Sequence, residues 1–134
     1  MAFDTTQPAQ VTGLNAYTVD PLITIGDEIN EYIAPGVPDG LGAIALDENT
    51  IRLFVNHEIA TDEESYAYTL ANGTELTGAR VSYFDIDKAT RTVVDAGLAF
   101  DTIYNRAGDI VDEASDLEFG EHGASDIPVE IVGL

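Results

Sequence analysis

Apolar and polar residues alternate in short runs along this chain, and turn-forming residues break the runs at close intervals. Leu14-Asn15-Ala16-Tyr17-Thr18-Val19 and Pro21-Leu22-Ile23-Thr24-Ile25-Gly26 each carry a short β-type pattern, punctuated by Asp20-Pro21 and Gly26-Asp27. The stretch from Tyr32 to Gly40, rich in Pro and Gly, predicts a loop, because its prolines remove backbone donors and restrict the residues before them. A hairpin follows: Ala43-Ile44-Ala45-Leu46, a turn at Asp47-Glu48-Asn49, and Thr50-Ile51-Arg52-Leu53-Phe54-Val55. Ile51, Leu53 and Val55 fall on one face of its second strand, Arg52 and Phe54 on the other. Phe54 among polar neighbours predicts that both faces are partly covered.

A second hairpin joins Ala79-Arg80-Val81-Ser82-Tyr83-Phe84-Asp85-Ile86 to Arg91-Thr92-Val93-Val94-Asp95 through Asp87-Lys88-Ala89-Thr90. Asp and Thr suit that turn, since their side chains bond the local backbone. Residues 97–104 read as a further strand, 105–108 as a turn and 109–111 as a short return strand. Between the hairpins, Thr61 and Glu64 make a capping box, whereas Ser65-Tyr66-Ala67-Tyr68-Thr69-Leu70 alternates like a strand; the stretch reads as an irregular loop with one helical turn. Ile127-Pro128-Val129-Glu130-Ile131-Val132 is a last extended segment, as if continuing into a larger fold. The expected fold is all-β, an antiparallel meander of hairpins with long irregular loops. Residues 1–12 form a polar arm, and 13–134 one β-rich domain, within the size that buries about two-thirds of its unfolded surface.

Charge narrows the partners. There are 25 acidic against 5 basic residues, a net charge of −20. Such a surface repels nucleic acid and anionic lipid, whose binding needs basic groups, and attracts divalent cations. Hydrophobic residues make up 45%, too many for a disordered acidic tail, yet no apolar run reaches membrane-span length. No basic n-region and apolar h-region open the chain, so no signal peptide is visible. There is no cysteine, hence no thiolate ligand or nucleophile. Walker, dinucleotide and nucleophile-elbow patterns are missing too.

Three constellations carry candidate chemistry. A Gly-rich turn presents Asp39, and the following strand ends in Asn56-His57-Glu58; Asp39, His57 and Glu58 are oxygen and nitrogen ligands of the kind that bind a divalent metal. They equally suit a turn, a backbone-bonded His and a solvated Glu. Asp109, Asp112, Glu113 and Asp116 crowd one stretch and would bind calcium if a turn converged them, though the spacing is not that of an EF-hand; otherwise they are an exposed acidic loop. Glu121-His122-Gly123 near Asp126 is the third, and Asn72-Gly73-Thr74 is a glycosylation sequon or a turn.

The run Gly36-Val37-Pro38-Asp39-Gly40-Leu41-Gly42-Ala43, then Arg52-Leu53-Phe54-Val55-Asn56-His57-Glu58, together with Leu76-Thr77-Gly78-Ala79-Arg80-Val81-Ser82-Tyr83-Phe84-Asp85-Ile86-Asp87, resembles the N-terminal part of the PhoX-type alkaline phosphatases. These are secreted bacterial β-propellers. The resemblance spans roughly residues 23–104 and implies the first blades of a propeller, export to the periplasm or beyond, and calcium- and iron-dependent phosphomonoester hydrolysis. It carries over Asp39, Asn56, His57 and Glu58 as motif positions, and Arg80 as a strand position. The family's metal site also uses a cysteine, which this chain lacks, so the expectation is a segment incomplete as an enzyme on its own. The alternative is a non-catalytic extracellular module that assembles with itself, or with the remainder of a propeller, through open strand edges and binds calcium.

Overall fold

The computed structural model describes residues 3–60 and 66–117. They form an all-β fold of antiparallel sheets. The centre is a four-stranded sheet in the order β3 (Pro38–Ala45), β4 (Thr50–His57), β7 (Arg80–Asp87), β8 (Thr92–Leu98). Two small hairpins accompany it: β1 (Glu28–Ile29) with β2 (Tyr32–Ile33) precedes the sheet in sequence, and β5 (Tyr68–Thr69) with β6 (Glu75–Leu76) lies between β4 and β7. A 3₁₀ turn, Ala114–Asp116, comes near the end of the described chain.

Both expected hairpins of the central sheet are present, and their turns show why. Asp47 Oδ1 accepts from the backbone N–H groups of Asn49 and Thr50 at 2.7 and 2.8 Å. Asp87 Oδ1 does the same for Ala89 and Thr90 at 3.0 and 2.7 Å. Each carboxylate replaces the backbone partners that the turn gives up. Lys88 Nζ then donates to the carbonyls of Asp47 and Glu48, tying one turn to the other.

Strand register follows from the alternation. Leu53 pairs with Phe84, Val55 with Ser82 and His57 with Arg80, while Arg52 pairs with Asp85 and Phe54 with Tyr83. Directly paired residues share a face. One face therefore carries Leu53, Val55, Phe84, Val93 and Ala96 into a core closed by Ile29, Ala34, Leu22 and Ile23. The other face is polar at its centre. Arg52 grips Asp85 with two 2.8 Å bonds and lies 4.0 Å over the Tyr83 ring. A second apolar cluster, with Leu70, Leu76, Phe100, Ile103 and Val111, gathers near the Arg80 end of the sheet.

Several sequence expectations are corrected. Residues 14–19 and 21–26 form no strand: Asn15 and Ala16 take left-handed backbone (φ 53 and 65) in a turn closed by Tyr17 N–H to the Leu14 carbonyl. Leu22 and Ile23 spend their apolar surface as packing rather than pairing. The expected loop over residues 32–40 contains β2 and the start of β3; Pro38 is tolerated because it opens an edge strand. Residues 97 and 98 belong to β8, and the separate strand over 97–104 is replaced by an irregular run with one bridge, Tyr104 to Ile110. That bridge is all that forms of the short return strand. The arm is held down: Phe3 packs on the core, and Thr5 and Thr6 bond Asp27. The capping box at 61–64, the cluster at 121–126 and the extended segment at 127–132 lie outside the described residues.

Candidate functional site

His57 ends β4 and Arg80 begins β7, and the register sets them side by side. Around them runs a buried polar seam between the two apolar clusters. Ser82 hydrogen-bonds the Tyr32 hydroxyl at 2.6 Å. Arg80 donates to the carbonyls of Gly78 and Tyr66, and its guanidinium stands 4.5 Å from the Tyr68 ring centre. Burial is the largest influence on Arg80 and pushes its pKa down. The Tyr68 ring and the carbonyls offset part of that cost.

His57 is 3% exposed. Its Nδ1 lies 2.7 Å from the carbonyl oxygen of Gly36. A carbonyl only accepts, so Nδ1 carries the hydrogen and Nε2 keeps its lone pair. Burial pushes the His57 pKa down, the Gly36 bond works the other way, and the Arg80 charge adds to the depression. The ring is neutral at pH 7. Nε2 is buried without a hydrogen-bond partner among the described residues. The backbone is bent to serve this contact: Val37, next to Gly36, sits at φ 47, a left-handed conformation rare for a β-branched residue, and its carbonyl accepts from Glu58 N–H at 3.1 Å.

His57 lines an apolar cleft of about 360 Å³. Leu53, Val55, Phe84 and Val93 form its sheet wall, Leu22 and Ile23 the opposite wall, and Pro38 and Leu41 of β3 one rim. Asp20 lies at the lining and pairs with Arg91 at 3.3 Å. The segment from 20 to 25, unpaired as a strand, supplies the second wall.

Asp39 and Glu58 are exposed, while the His57 ring is turned inward onto Gly36. Asn56 falls on the opposite face of β4 from His57. Asp116 Oδ2 accepts from the N–H groups of Asp112 and Glu113 at 3.1 and 3.2 Å and caps the 3₁₀ turn. The hydrogen bond to Asp116 raises the Asp112 pKa, and the backbone bonds lower that of Asp116. Asp109 is exposed, in a turn shaped by Asn105. Among the described residues no three His, Cys, Asp or Glu side chains gather as a metal would require. Asn72 of the sequon accepts from Thr74 N–H at 3.1 Å and donates to the Val111 carbonyl, which is turn and packing work.

Sequence reading missed Asp27. It is buried, and it accepts from Thr5 Oγ1 at 2.6 Å, Thr6 Oγ1 at 2.8 Å and Thr24 N–H at 2.8 Å. Burial alone would raise its pKa, but these bonds outweigh it and hold the carboxyl below its ordinary value. Thr5 and Thr6 lie 22 and 21 residues from Asp27 in the chain, so no local pattern marks it.

No family model, curated protein or solved structure matches this chain. Among the described residues no helix is long and apolar enough to cross a membrane.

Proposed function

We propose that this chain is a non-catalytic β-rich interaction module that captures an extended, basic segment along the open edge of β3. The observation that carries this reading is the exposure of β3: among the described residues all eight of its positions are open to solvent, and it pairs on one side only, with β4. An edge strand offers a row of unpaired N–H and C=O groups to any extended chain. Natural edges are commonly shortened, charged, or broken by proline and bulges; here Pro38 and a register shift before Leu41 blunt only the start of the strand, and Asp39 is its sole charge. Gly40, Gly42, Ala43 and Ala45 let a partner backbone approach, and Leu41 and Ile44, at 67% and 48% exposed, offer apolar anchors on opposite faces. The net charge of −20 selects the partner. It opposes pairing with a second copy and favours a segment alternating apolar and basic residues.

Titration of a labelled peptide alternating Val and Lys, beside one alternating Val and Glu, tests this. The reading expects saturable binding of the basic peptide alone, weakening with salt, and loss of binding in Ile44→Lys. Equal binding of both peptides, or none, contradicts it; assembly of the chain with itself would replace the basic partner with a second copy.

A second reading keeps the PhoX-like phosphatase segment, exported and dependent on calcium and iron. Its support is the central sheet: four antiparallel strands in a meander have the strand number of one propeller blade. Hydrolysis of a chromogenic phosphomonoester with calcium and iron supplied would favour this second reading over the first.

A further inference from the structure

We infer, on the basis of the edge capture proposed above, that a strand bound to β3 is held by the backbone of Leu41, Ala43 and Ala45. Its apolar side chains lie on the face of the sheet that carries Leu53 and Val55, and its basic ones on the face that carries Arg52. The phase of the β3–β4 ladder sets the first point. Leu46 N–H donates to the Thr50 carbonyl at 3.0 Å, one step past the pair Ala45–Ile51. Bonded and non-bonded pairs alternate along an antiparallel ladder. Ile44–Arg52 and Gly42–Phe54 are therefore bonded pairs, and their N–H and C=O groups are already used between β3 and β4. Leu41, Ala43 and Ala45 occupy the non-bonded pairs, opposite Val55, Leu53 and Ile51, and aim their backbone groups away from β4. The far side of β4 agrees. Lys88 N–H donates to the Asn49 carbonyl at 2.8 Å, which turns Ile51, Leu53 and Val55 toward β7 and leaves Thr50, Arg52 and Phe54 for β3. Among the described residues no strand takes up the outward groups of β3. The register shift between Pro38 and Leu41 interrupts the regular edge, so the docking stretch starts at Leu41.

The two faces of that stretch differ in chemistry, and directly opposed residues share a face. A partner residue opposite Leu41, Ala43 or Ala45 extends the rows of Val55, Leu53 and Ile51. Leu41, Leu53 and Val55 line the apolar cleft, and the exposed Ala43 and Ala45 leave room above them for a larger apolar side chain. From Leu41 onward the strand residues of this face include no carboxylate, and its cation, Arg80, is buried. Asp20, at the cleft lining, already pairs with Arg91. A lysine on this face would rest on apolar surface with no counter-charge from the sheet. A partner residue opposite Gly42 or Ile44 extends the rows of Phe54 and Arg52 instead. There Asp85 neutralises Arg52 through two 2.8 Å bonds, and Asp95 lies beyond. Ile44 gives a lysine stem apolar surface while the ammonium stays in water.

The test binds the peptide alternating Val and Lys, with isotope-labelled valine, to the full chain. Amide exchange and nuclear Overhauser contacts from the valine methyls are read together. At saturating peptide, exchange should slow by about tenfold or more at Leu41, Ala43 and Ala45, and change little at Gly42 and Ile44, which already bond β4. The valine methyls should contact Leu41, Ala43 and Leu53. Methyl contacts to Ile44 and Phe54, contacts shared equally by both faces, or slowing at Gly42 and Ile44 in place of the outward three overturn the inference and leave edge capture standing. Contacts to β8, or no binding at millimolar peptide, overturn edge capture and the inference with it.

Discussion

Single side chains hold this molecule at points where the apolar pattern is silent. Asp27 fastens the N-terminal arm through Thr5 and Thr6. Asp27→Asn keeps the shape but loses the charge-assisted bonds, and should cost about 1–3 kcal/mol in urea unfolding. The pH dependence has a definite sign. The folded carboxyl titrates below its unfolded value, so its stabilisation is complete above the ordinary aspartate pKa near 3.9 and is lost as pH falls through the folded value. The stability gap between native chain and Asp27→Asn should therefore shrink below about pH 4. A gap that stays constant down to pH 2 would contradict the tether. Gly97 is a second such point. A Cβ there would stand 2.7 Å from Tyr83 Cε1. The ring cannot easily yield, with Arg52 over it at 4.0 Å and its hydroxyl on Asp95 at 3.2 Å. Gly97→Ala should cost about 1–3 kcal/mol, read as a lower denaturation midpoint; an unchanged midpoint would show that the ring moves freely.

At the scale of elements, long alternating strands joined by Asp-rich turns were legible, because each half of such a hairpin specifies the other locally. β4 and β7 came out with the faces that alternation assigns: Leu53 and Val55 lie against Phe84 and Ser82, and Arg52 against Asp85. The two-residue strands were not legible. Tyr32–Ile33 and Glu75–Leu76 are too short to show a period, and they pair because distant packing brings them together. Residues 14–19 had a strand-like pattern with no neighbour to pair with. The candidate site was half legible. Asn56-His57-Glu58 was singled out as a ligand cluster, yet the strand turns His57 inward and leaves Glu58 exposed. The wall supplied by Leu22 and Ile23 is tertiary and carries no local mark. The edge strand gives this scale its prediction: Ile44→Lys puts a charge on an exposed position and should change stability by no more than about 0.5 kcal/mol while abolishing capture of a basic strand. Thermal melting beside the peptide titration separates those two effects, and a variant that still binds the peptide would place the partner elsewhere.

For the molecule as a whole, the net charge of −20 is the dominant long-range term. Self-repulsion of that size should make the melting temperature rise with sodium chloride up to roughly 1 M, where the screening length shrinks to about 3 Å. A melting temperature that falls with salt would mean that specific ion pairs such as Arg52–Asp85 outweigh the repulsion. The same charge frames the open edge as a site for a basic partner. Amide hydrogen exchange along β3, measured with and without a saturating Val/Lys peptide, examines that claim at the atoms concerned. Pairing predicts that exchange slows at alternate β3 amides, those that do not already bond β4, with no comparable change in β8. Protection that appears on β8 or nowhere, while the peptide is bound, would contradict capture along the β3 edge.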